Sequence, residues 1–256
     1  MQQFFVDQLS NTIFTIPINA LNRRQILDQI QAREGSKPFW IVTMNPEILL
    51  FAKKDAAYCA TIQRADLRVA DGIGIVAVLK LFGVAVPRVI GVDLADDIVK
   101  WASENHKKVC FIGGGDKHSA TPALAEMKEK YENLIGFAEN GGNVDTDGNG
   151  DEMNEEARMR IVMEKPNVVL VGFGHPKQER WIEKYLLDVP GIDVVMGVGG
   201  TFDYWSGLTP RAPKWLRSIG LEWLFRLVRE PRRIKRILKA VFVFPFQVIF
   251  NRKTSN

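Results

Sequence analysis

The chain has 256 residues, of which 46% are hydrophobic, so it can build one large core or two small ones. Its net charge of +4 is unevenly distributed: residues 211–256 hold 12 Lys and Arg against two acidic residues, which leaves residues 1–210 net acidic. No stretch reaches the roughly 20 apolar residues of a spanning helix, and the N-terminus lacks the basic region of a signal peptide. Two well-separated cysteines, Cys59 and Cys110, predict reduced thiols in the cytoplasm.

Strand and helix signals alternate along the chain. Residues 11–18 and 38–45 predict strands, and Asn22 with Gln25 forms a capping box for a helix over 23–32. Pro46 opens a helix that is expected to run to residue 65. A strand at 67–71 and helices around 73–82 and 93–106 follow. Beyond them the pattern is regular, with strands at 108–115, 133–138, 167–174 and 192–200 and helices at 121–131, 155–165 and 176–187.

This alternation predicts an α/β fold with a doubly wound, mostly parallel sheet of the Rossmann-like type. We divide the chain into a catalytic α/β domain, residues 1–210, and a basic helical appendage, residues 211–256. Within the catalytic domain, a small N-terminal α/β region covers about 1–92 and the Rossmann-like region about 93–210.

Polar residues end two consecutive predicted strands. Thr43 and Asn45 end one, and Asp71 ends the next. In open α/β sheets, ligands bind outside the carboxyl ends of the strands, and one intervening helix is the spacing of a right-handed βαβ unit. The three residues are therefore expected on one edge. Asn45 also suits a helix cap and Asp71 a turn, but a lone carboxylate facing a crevice is what a general base requires.

Three glycine turns follow strands at the same edge. The turn in "FIGGGDKHSA" suits a diphosphate at a helix N-terminus, although it lacks the full dinucleotide pattern of a nucleotide-cofactor oxidoreductase. In "VGFGHPKQERW", a lysine in the first helical turn opposes the helix dipole and favours a nearby anion. "VGVGGTFDYWSG" resembles the other two turns. The candidate ligand-binding residues of these turns are Gly113, Gly174, Lys177, Gln178, Gly200 and Asp203.

One acidic loop, "DTDGNGDEMNEE", fits the spacing of a calcium-binding loop. Its ligand positions would be Asp145, Asp147, Asn149 and Glu156. However, a strand precedes it where a calcium loop has a helix, and a metal-free loop that caps the next helix fits equally well. Neither interpretation places the active site there.

Several stretches of the chain, read in order, resemble the WecG/TagA/CpsF glycosyltransferases, glycosyltransferase family 26. They span about residues 11–236 and depart from the family over 139–156. The matching stretches are "TMNPEIL", "ADGIGIV", "RVIGVDL", "FIGG", "VGFGHPKQERWI", "GVGGTFDYWSG", "RAPKWL" and "GLEWLFRLVREPRR".

The resemblance implies an inverting enzyme that needs no metal or other cofactor. It implies transfer of a sugar, most often N-acetylmannosamine, from UDP to a sugar on a polyprenyl diphosphate at the inner face of the membrane. Glucose or glucuronic acid are the alternative donor sugars. By position, Asp71 would be the catalytic base, and Thr43, Asn45 and Gln178 would line the donor and acceptor pocket. The C-terminal appendage would cover the pocket and contact the membrane.

The basic appendage fits these tasks. Guanidinium groups can stabilise the charge on the departing UDP, and the candidates at helical spacing are Arg226, Arg229, Arg233 and Arg236. The residues expected at the lipid headgroup boundary are Phe242, Phe244, Phe246, Ile249 and Phe250, and those expected on anionic lipid are Lys235, Lys239, Arg252 and Lys253. A nucleic-acid-binding appendage is the alternative, although we expect no nucleic-acid partner. The sequence leaves homo-oligomer formation open.

Overall fold

A six-stranded sheet, parallel throughout, forms the centre of the protein. The structure is a computed structural model that describes residues 11–33, 37–114, 119–218, 220, 222–229 and 234–253. In chain order the sheet strands are β3 (Phe39–Met44), β4 (Leu67–Ala70), β5 (Lys108–Gly113), β6 (Ile135–Asn140), β7 (Val168–Gly172) and β8 (Val194–Gly197). Their order across the sheet is β4-β3-β8-β7-β5-β6, which confirms the predicted doubly wound α/β fold.

A short antiparallel hairpin precedes the sheet, where the sequence predicted one strand over 11–18. Its strands are β1 (Thr12–Ile13) and β2 (Ile16–Pro17). The two residues between them, Phe14 and Thr15, have φ of 50° and 69°. Such positive values at both central positions belong to tight hairpin turns, in which Asn and Gly are the usual residues. Because neither of these residues is present, this hairpin turn could not be recognised from the sequence.

Helices cover both faces of the sheet. In chain order they are α1 (Arg23–Ala32), α2 (Pro46–Ala52), α3 (Ala56–Gln63), α4 (Ile73–Leu81), α5 (Gly91–Glu104), α6 (Ala120–Lys130), α7 (Glu152–Glu164), α8 (Lys177–Tyr185) and α9 (Thr201–Trp205). The predicted capping box is confirmed: the Asn22 side chain accepts from the Gln25 amide, and the Gln25 side chain accepts from the Asn22 amide. The single helix predicted over 46–65 is two helices, since Asp55 adopts extended backbone and caps α3 through the Tyr58 amide.

The C-terminal segment is a chain of short helices. These are α10 (Lys214–Ser218), α11 (Glu222–Arg229), α12 (Ile234–Leu238), a π-helical segment (Lys239–Val243) and α13 (Phe244–Lys253). The segment is anchored in the protein core, because Phe244 is fully buried and Val248 is buried beside it. The Phe244 ring makes an edge contact with Phe14 of the hairpin, with the ring centroids 6.3 Å apart.

The sheet joins the two regions into which the sequence divided the catalytic domain. Strand β3 of the N-terminal region pairs with both β4 and β8, so the regions share one sheet. Beyond β3 the chain turns toward β4 at one edge. Beyond β8 it enters α9, which packs against α6 at the other side. The connections that follow β3 and β8 thus leave the sheet in different directions. Such a divergence opens a crevice at the carboxyl ends of the strands, where α/β proteins bind ligands.

Candidate active site

Asp71 and Asn45 lie side by side at the carboxyl edge of the sheet. The strands that precede them are parallel neighbours, with Met44 opposite Ala70 in the register. The Asp71 amide donates to the Met44 carbonyl at 2.9 Å, which fixes the position of the residue after the strand. The predicted shared edge of Thr43, Asn45 and Asp71 is therefore confirmed.

The Asp71 carboxylate is held at the N-terminus of α5. Its Oδ1 accepts from the Gly91 amide at 3.3 Å, and its backbone carbonyl accepts from Arg88 Nε at 3.1 Å. The N-terminus of a helix stabilises negative charge. Thr43 packs behind this contact, because a Cβ on Gly91 would lie 3.2 Å from Thr43 Oγ1. The Asp71 carboxylate is thus held in a fixed orientation at the carboxyl edge of the sheet.

A cavity of about 580 Å³ opens beside Asp71. The carboxyl edge of the sheet supplies Asn45 and Asp71, and the chain before α5 supplies Arg88. One wall is the apolar face of α4, with Ile73, Ala77, Val78 and Leu81. The opposite wall is the C-terminal segment, with Trp223, Ile237, Val241 and Ile249. The cavity therefore has a polar end at Asp71 and two largely apolar walls. This geometry agrees with the expectation that the C-terminal segment covers the Asp71 site.

The turn that carries Asp71 tolerates no side chain at its next residue. A Cβ on Gly72 would lie 2.6 Å from Pro46 Cδ, far closer than van der Waals contact. Pro46 is the first residue of α2, directly after Asn45. The close approach of the two turns therefore determines the spacing of Asn45 and Asp71.

Gly72→Ala should lower the activity of the protein by displacing Asp71. We expect a reduced melting temperature and a loss of activity of up to about 100-fold, because a displacement of about 1 Å at a reacting group has effects of that size. Activity and thermal unfolding should be measured together. The matched control is Gly74→Ala, whose Cβ would lie 3.5 Å from Pro46 Cγ, an ordinary contact. Equal behaviour of the two variants would contradict the proposed constraint.

Gln178 lies behind the edge of the sheet and is only 5% exposed. Its Oε1 accepts from the amides of Gly174 at 3.1 Å and Gly199 at 3.0 Å, and its Nε2 donates to Glu179 Oε1 at 2.6 Å. The side chain therefore ties together the turns after β7 and β8. Gln178 was predicted to line the donor and acceptor pocket; in this structure its amide is buried, is bonded on both sides and positions the two turns.

A buried carboxylate supports Gln178. Glu179 is 1% exposed, and its Oε2 accepts from the Tyr58 hydroxyl at 2.9 Å. Burial raises the pKa of Glu179, and burial next to this carboxylate raises the pKa of Tyr58 well above its usual value. The sequence analysis did not identify either residue. The available signal was an acid in α8 next to the buried Trp181, a position that faces the core.

The glycines of the three turns have two different roles. A Cβ on Gly172 would lie 2.8 Å from the Phe202 ring, so packing requires glycine there, whereas one on Gly113 would make an ordinary contact with that ring at 3.4 Å. Gly174 and Gly199 instead have φ of +76° and +51°, with open space where a Cβ would lie. Only a residue that tolerates a left-handed backbone suits such positions. The turns after β7 and β8 therefore have open space at Gly174 and Gly199, whereas Gly113 lies against the Phe202 ring.

The turns after β7 and β8 carry the remaining predicted residues. Lys177 begins α8 and is partly exposed, and exposed Gly200 directly precedes α9, which contains Asp203. The His175 imidazole Nε2 lies 3.7 Å from the Glu47 carboxylate. Because Glu47 lines the cavity, this pair links the turn after β7 to the Asp71 site.

The four arginines predicted for the leaving group are only partly described. Arg233 lies outside the described residues, and for Arg226 and Arg236 the structure gives helix positions in α11 and α12 but no side chain. The guanidinium of Arg229 lies over the Phe225 ring, 5.5 Å from its centroid. For Lys235, Arg252 and Lys253, too, the structure describes the helical backbone and not the side chain.

Three other arginines lie around the Asp71 turn and the first turn of α5. Arg88 donates to the carbonyl of Arg217 at 2.9 Å as well as to that of Asp71. Arg211 Nη2 lies 2.6 Å and Arg217 Nη1 3.6 Å from the Asp93 carboxylate, in the first turn of α5. Two arginines thus pair with one aspartate of α5, and Arg88 is bonded to the backbone of one of them. Arg88 and Arg211 lie in the quoted stretches "RVIGVDL" and "RAPKWL", which were the signal that could have identified them, and Arg217 directly follows the second stretch.

The acidic loop is organised by its own hydrogen bonds. Asp145 Oδ1 accepts from the amides of Asp147 and Asn149, and hydrogen bonds from Asn149 lower the pKa of this carboxyl. Arg180 pairs with Asp147 at 3.2 Å, and Glu156 points into solvent from α7. In the part of the chain that the structure covers, no three His, Cys, Asp or Glu side chains are grouped as a metal site requires. The loop geometry agrees with a cap for α7, since Asp151 accepts from the Asn154 amide.

The helices described here include none that is long and apolar enough to cross a membrane.

The aromatic prediction for the C-terminal segment needs one correction. Phe242, Phe246 and Phe250 are more than half exposed, but Phe244 is buried in the core and Ile249 lines the cavity. Residues two positions apart face opposite sides of a helix, whereas residues four apart share a side. The exposed aromatic face therefore consists of Phe242, Phe246 and Phe250.

Comparison with known proteins gives a consistent result over nearly the whole chain. The model of the glycosyl transferase WecG/TagA/CpsF family matches residues 11–256. Two relatives from Staphylococcus aureus, strains MW2 and NCTC 8325 / PS 47, are each 33% identical over 251 residues, 95% of this chain and 95% of the relative. Both are named N-acetylglucosaminyldiphosphoundecaprenol N-acetyl-beta-D-mannosaminyltransferase.

Proposed function

Because the chain belongs to the glycosyl transferase WecG/TagA/CpsF family and is a glycosyltransferase, we propose that it transfers N-acetylmannosamine from UDP to N-acetylglucosamine on a polyprenyl diphosphate. The names of the Staphylococcus aureus relatives support this acceptor and this sugar. Membership of the family confirms the glycosyltransferase interpretation over the oxidoreductase and nucleic-acid alternatives.

In this reaction Asp71 is the general base. Its carboxylate takes the proton from an acceptor hydroxyl, and the hydroxyl oxygen attacks the anomeric carbon of the donor sugar. The bond from that carbon to the UDP oxygen breaks on the opposite side, so the configuration inverts and the product is a β-linkage. UDP leaves with the bonding electron pair. The observation that supports this role most directly is the Asp71 carboxylate at the N-terminus of α5, facing a cavity that can hold an acceptor.

The departing diphosphate needs positive charge near it. Arg88 lines the cavity and is bonded to the Asp71 turn, and Arg211 and Arg217 lie at the first turn of α5, the helix whose N-terminus holds Asp71. Backbone amides at Gly174 and Gly199 are already bonded to Gln178, so these turns contribute shape rather than free donors. We assign charge stabilisation to the arginines for this reason.

The test is a donor screen with the purified protein. A synthetic N-acetylglucosamine diphosphate lipid is incubated with UDP-N-acetylmannosamine, UDP-N-acetylglucosamine, UDP-glucose or UDP-glucuronic acid, and disaccharide and UDP are quantified. We expect product from UDP-N-acetylmannosamine and a β configuration in its NMR spectrum. Product from UDP-glucose or UDP-glucuronic acid alone would assign the other donor sugar. No product from any donor would contradict the proposed reaction.

We also expect the reaction to need no divalent metal, because arginines supply the charge that a metal would supply. Excess EDTA should leave the transfer rate unchanged, and added Mg²⁺, Mn²⁺ or Ca²⁺ should not raise it. The measurement is the initial rate of UDP release after removal of metals from all reagents. Loss of activity with EDTA and its recovery with a divalent ion would make Asp145 and Asp147 candidate ligands and contradict the role of the arginines.

We propose further that the exposed aromatic face holds the enzyme on the inner surface of the membrane. Phe242, Phe246 and Phe250 are 66%, 59% and 54% exposed, and exposed Lys239 precedes them. Aromatic side chains enter the headgroup boundary, and each basic residue near an anionic surface contributes about 1 kcal/mol.

Replacing all three phenylalanines by serine should abolish binding to vesicles that contain anionic lipid. Activity on a short, soluble acceptor should be retained, because none of the three side chains lines the cavity. Vesicle sedimentation and soluble-acceptor assays measure the two effects on one preparation. Phe244→Ser is the contrasting variant, since its buried ring should affect stability instead. Undiminished vesicle binding by the triple variant would assign membrane contact to another surface.

A further inference from the structure

The cavity beside Asp71 has an apolar part that sugars and phosphates do not require. Beyond its polar end, Ala77, Val78 and Leu81 of α4 face Ile237, Val241 and Ile249 of the C-terminal segment. Sugar sites need hydrogen-bonding groups, whereas these six side chains offer only methyl and methylene groups; Glu222 and Trp223 of the C-terminal segment also line the cavity. The volume of about 580 Å³ is that of a site for a small organic group.

The C-terminal segment has two apolar sides with different surroundings. Ile237, Val241 and Ile249 face the cavity, while Phe242 and Phe246 are exposed on the outside. One run of helix thus separates the cavity from the face assigned to the membrane. A chain that leaves the cavity at this wall emerges beside the surface where a bilayer would lie.

We propose that this cavity binds the isoprenoid units nearest to the diphosphate of the lipid acceptor. The inference rests on the proposed function for the identity of the lipid, since undecaprenol occurs in the names of the relatives. The isoprenoid units lie between α4 and the C-terminal segment, and the sugar points toward Asp71. Arg88, which lines the same cavity, is the cation available to the diphosphate between them. The enzyme therefore draws the first part of the lipid out of the bilayer rather than binding its headgroup alone.

This arrangement predicts affinity that depends on chain length. Each methylene group removed from water makes binding more favourable, so every isoprene unit that enters the cavity tightens binding. Once the cavity is full, further units add little. A site for the headgroup alone would show no such dependence.

The test measures binding of geranyl, farnesyl and geranylgeranyl diphosphate to the full-length protein by calorimetry, without detergent or membranes. We expect affinity to rise by about tenfold or more from the shortest to the longest chain, with a negative heat-capacity change. Inorganic diphosphate, the probe without a chain, should bind more weakly than all three. Binding is measured without turnover, so its result is independent of the donor screen.

Variants identify the place of binding. Ala77→Trp, at an exposed helical position in the cavity wall, should remove the dependence on chain length. Ala60→Trp is the matched control, because Ala60 is an exposed helical alanine of α3 outside the cavity. Leu81→Ser, at a lining residue that is 67% exposed, should weaken the dependence without a risk to folding.

Three outcomes would overturn the proposal. The first is equal affinity for the three prenyl diphosphates. The second is a dependence on chain length that survives in both Ala77→Trp and Leu81→Ser, which would place the chain on another surface. The third is equal loss in Ala77→Trp and Ala60→Trp. If binding behaves as expected but no donor sugar is transferred, the cavity assignment stands and the proposed reaction fails.

Discussion

Asp71→Asn should abolish most of the sugar transfer while leaving the fold intact. We expect kcat to fall by about 10²–10⁴-fold, the range for loss of a general base. The asparagine side-chain oxygen can still accept from the Gly91 amide, so the local structure should persist. The assay is the initial rate of UDP formation with saturating donor and acceptor, and circular dichroism with thermal unfolding verifies the fold.

Asp97→Asn is the matched control for this prediction. Asp97 lies on the same helix, α5, whose N-terminus holds Asp71, and it pairs with Arg23 at 2.9 Å. Removing its charge should leave turnover close to that of the unaltered protein. If Asp71→Asn retains a rate within about threefold of the unaltered protein, a catalytic base at this position is contradicted.

Removal of residues 211–256 should eliminate transfer even to a soluble acceptor. The deletion takes away one complete wall of the cavity and two of the three arginines near Asp71. It also exposes the core around Phe244 and Val248, with a cost of roughly 1.5–3 kcal/mol for each large apolar side chain that loses its burial. We therefore expect a reduced melting temperature together with activity below detection. Activity and thermal unfolding should again be measured on the same preparation.

The serine variant of the exposed aromatic face is the control for this deletion, because it keeps the segment in place. Comparing the deletion with the serine variant separates membrane binding by the C-terminal segment from its contribution to turnover. If the truncated chain folds and turns over soluble acceptor at the full-length rate, the segment is only a membrane anchor. The charge on the leaving diphosphate would then be stabilised by Arg88, which the deletion leaves in place.

The sheet and its functional edge could be predicted because they depend on local patterns. Buried parallel strands appear as continuous apolar runs, as in "FWIVTM" and "VVLVG", and the polar residue that follows such a run marks the carboxyl edge. This reasoning located Asn45 and Asp71 correctly. It also found the capping box at Asn22, since both partners lie three residues apart.

Other features depend on contacts between distant parts of the chain. From its place in the first turn of α8, Gln178 was predicted to bind a ligand. It is buried because the turn after β8 packs against it and donates the Gly199 amide to its side chain. Phe244 lies in a run of alternating aromatic residues, and only the packing of α13 on Phe14 determines that it faces inward. Arg88 and Arg217 meet across 129 positions of sequence. A single sequence contains no local signal for such contacts.

The most direct measurement is a crystal structure of the full-length enzyme with UDP and a prenyl diphosphate N-acetylglucosamine acceptor. We predict that a hydroxyl oxygen of the acceptor sugar lies within about 3.2 Å of an Asp71 carboxylate oxygen, the reach of a general base. We predict UDP beside the turns after β7 and β8 and the first isoprenoid units between α4 and the C-terminal segment. An acceptor sugar bound with its hydroxyls on other side chains, and Asp71 facing away from it, would contradict the mechanism.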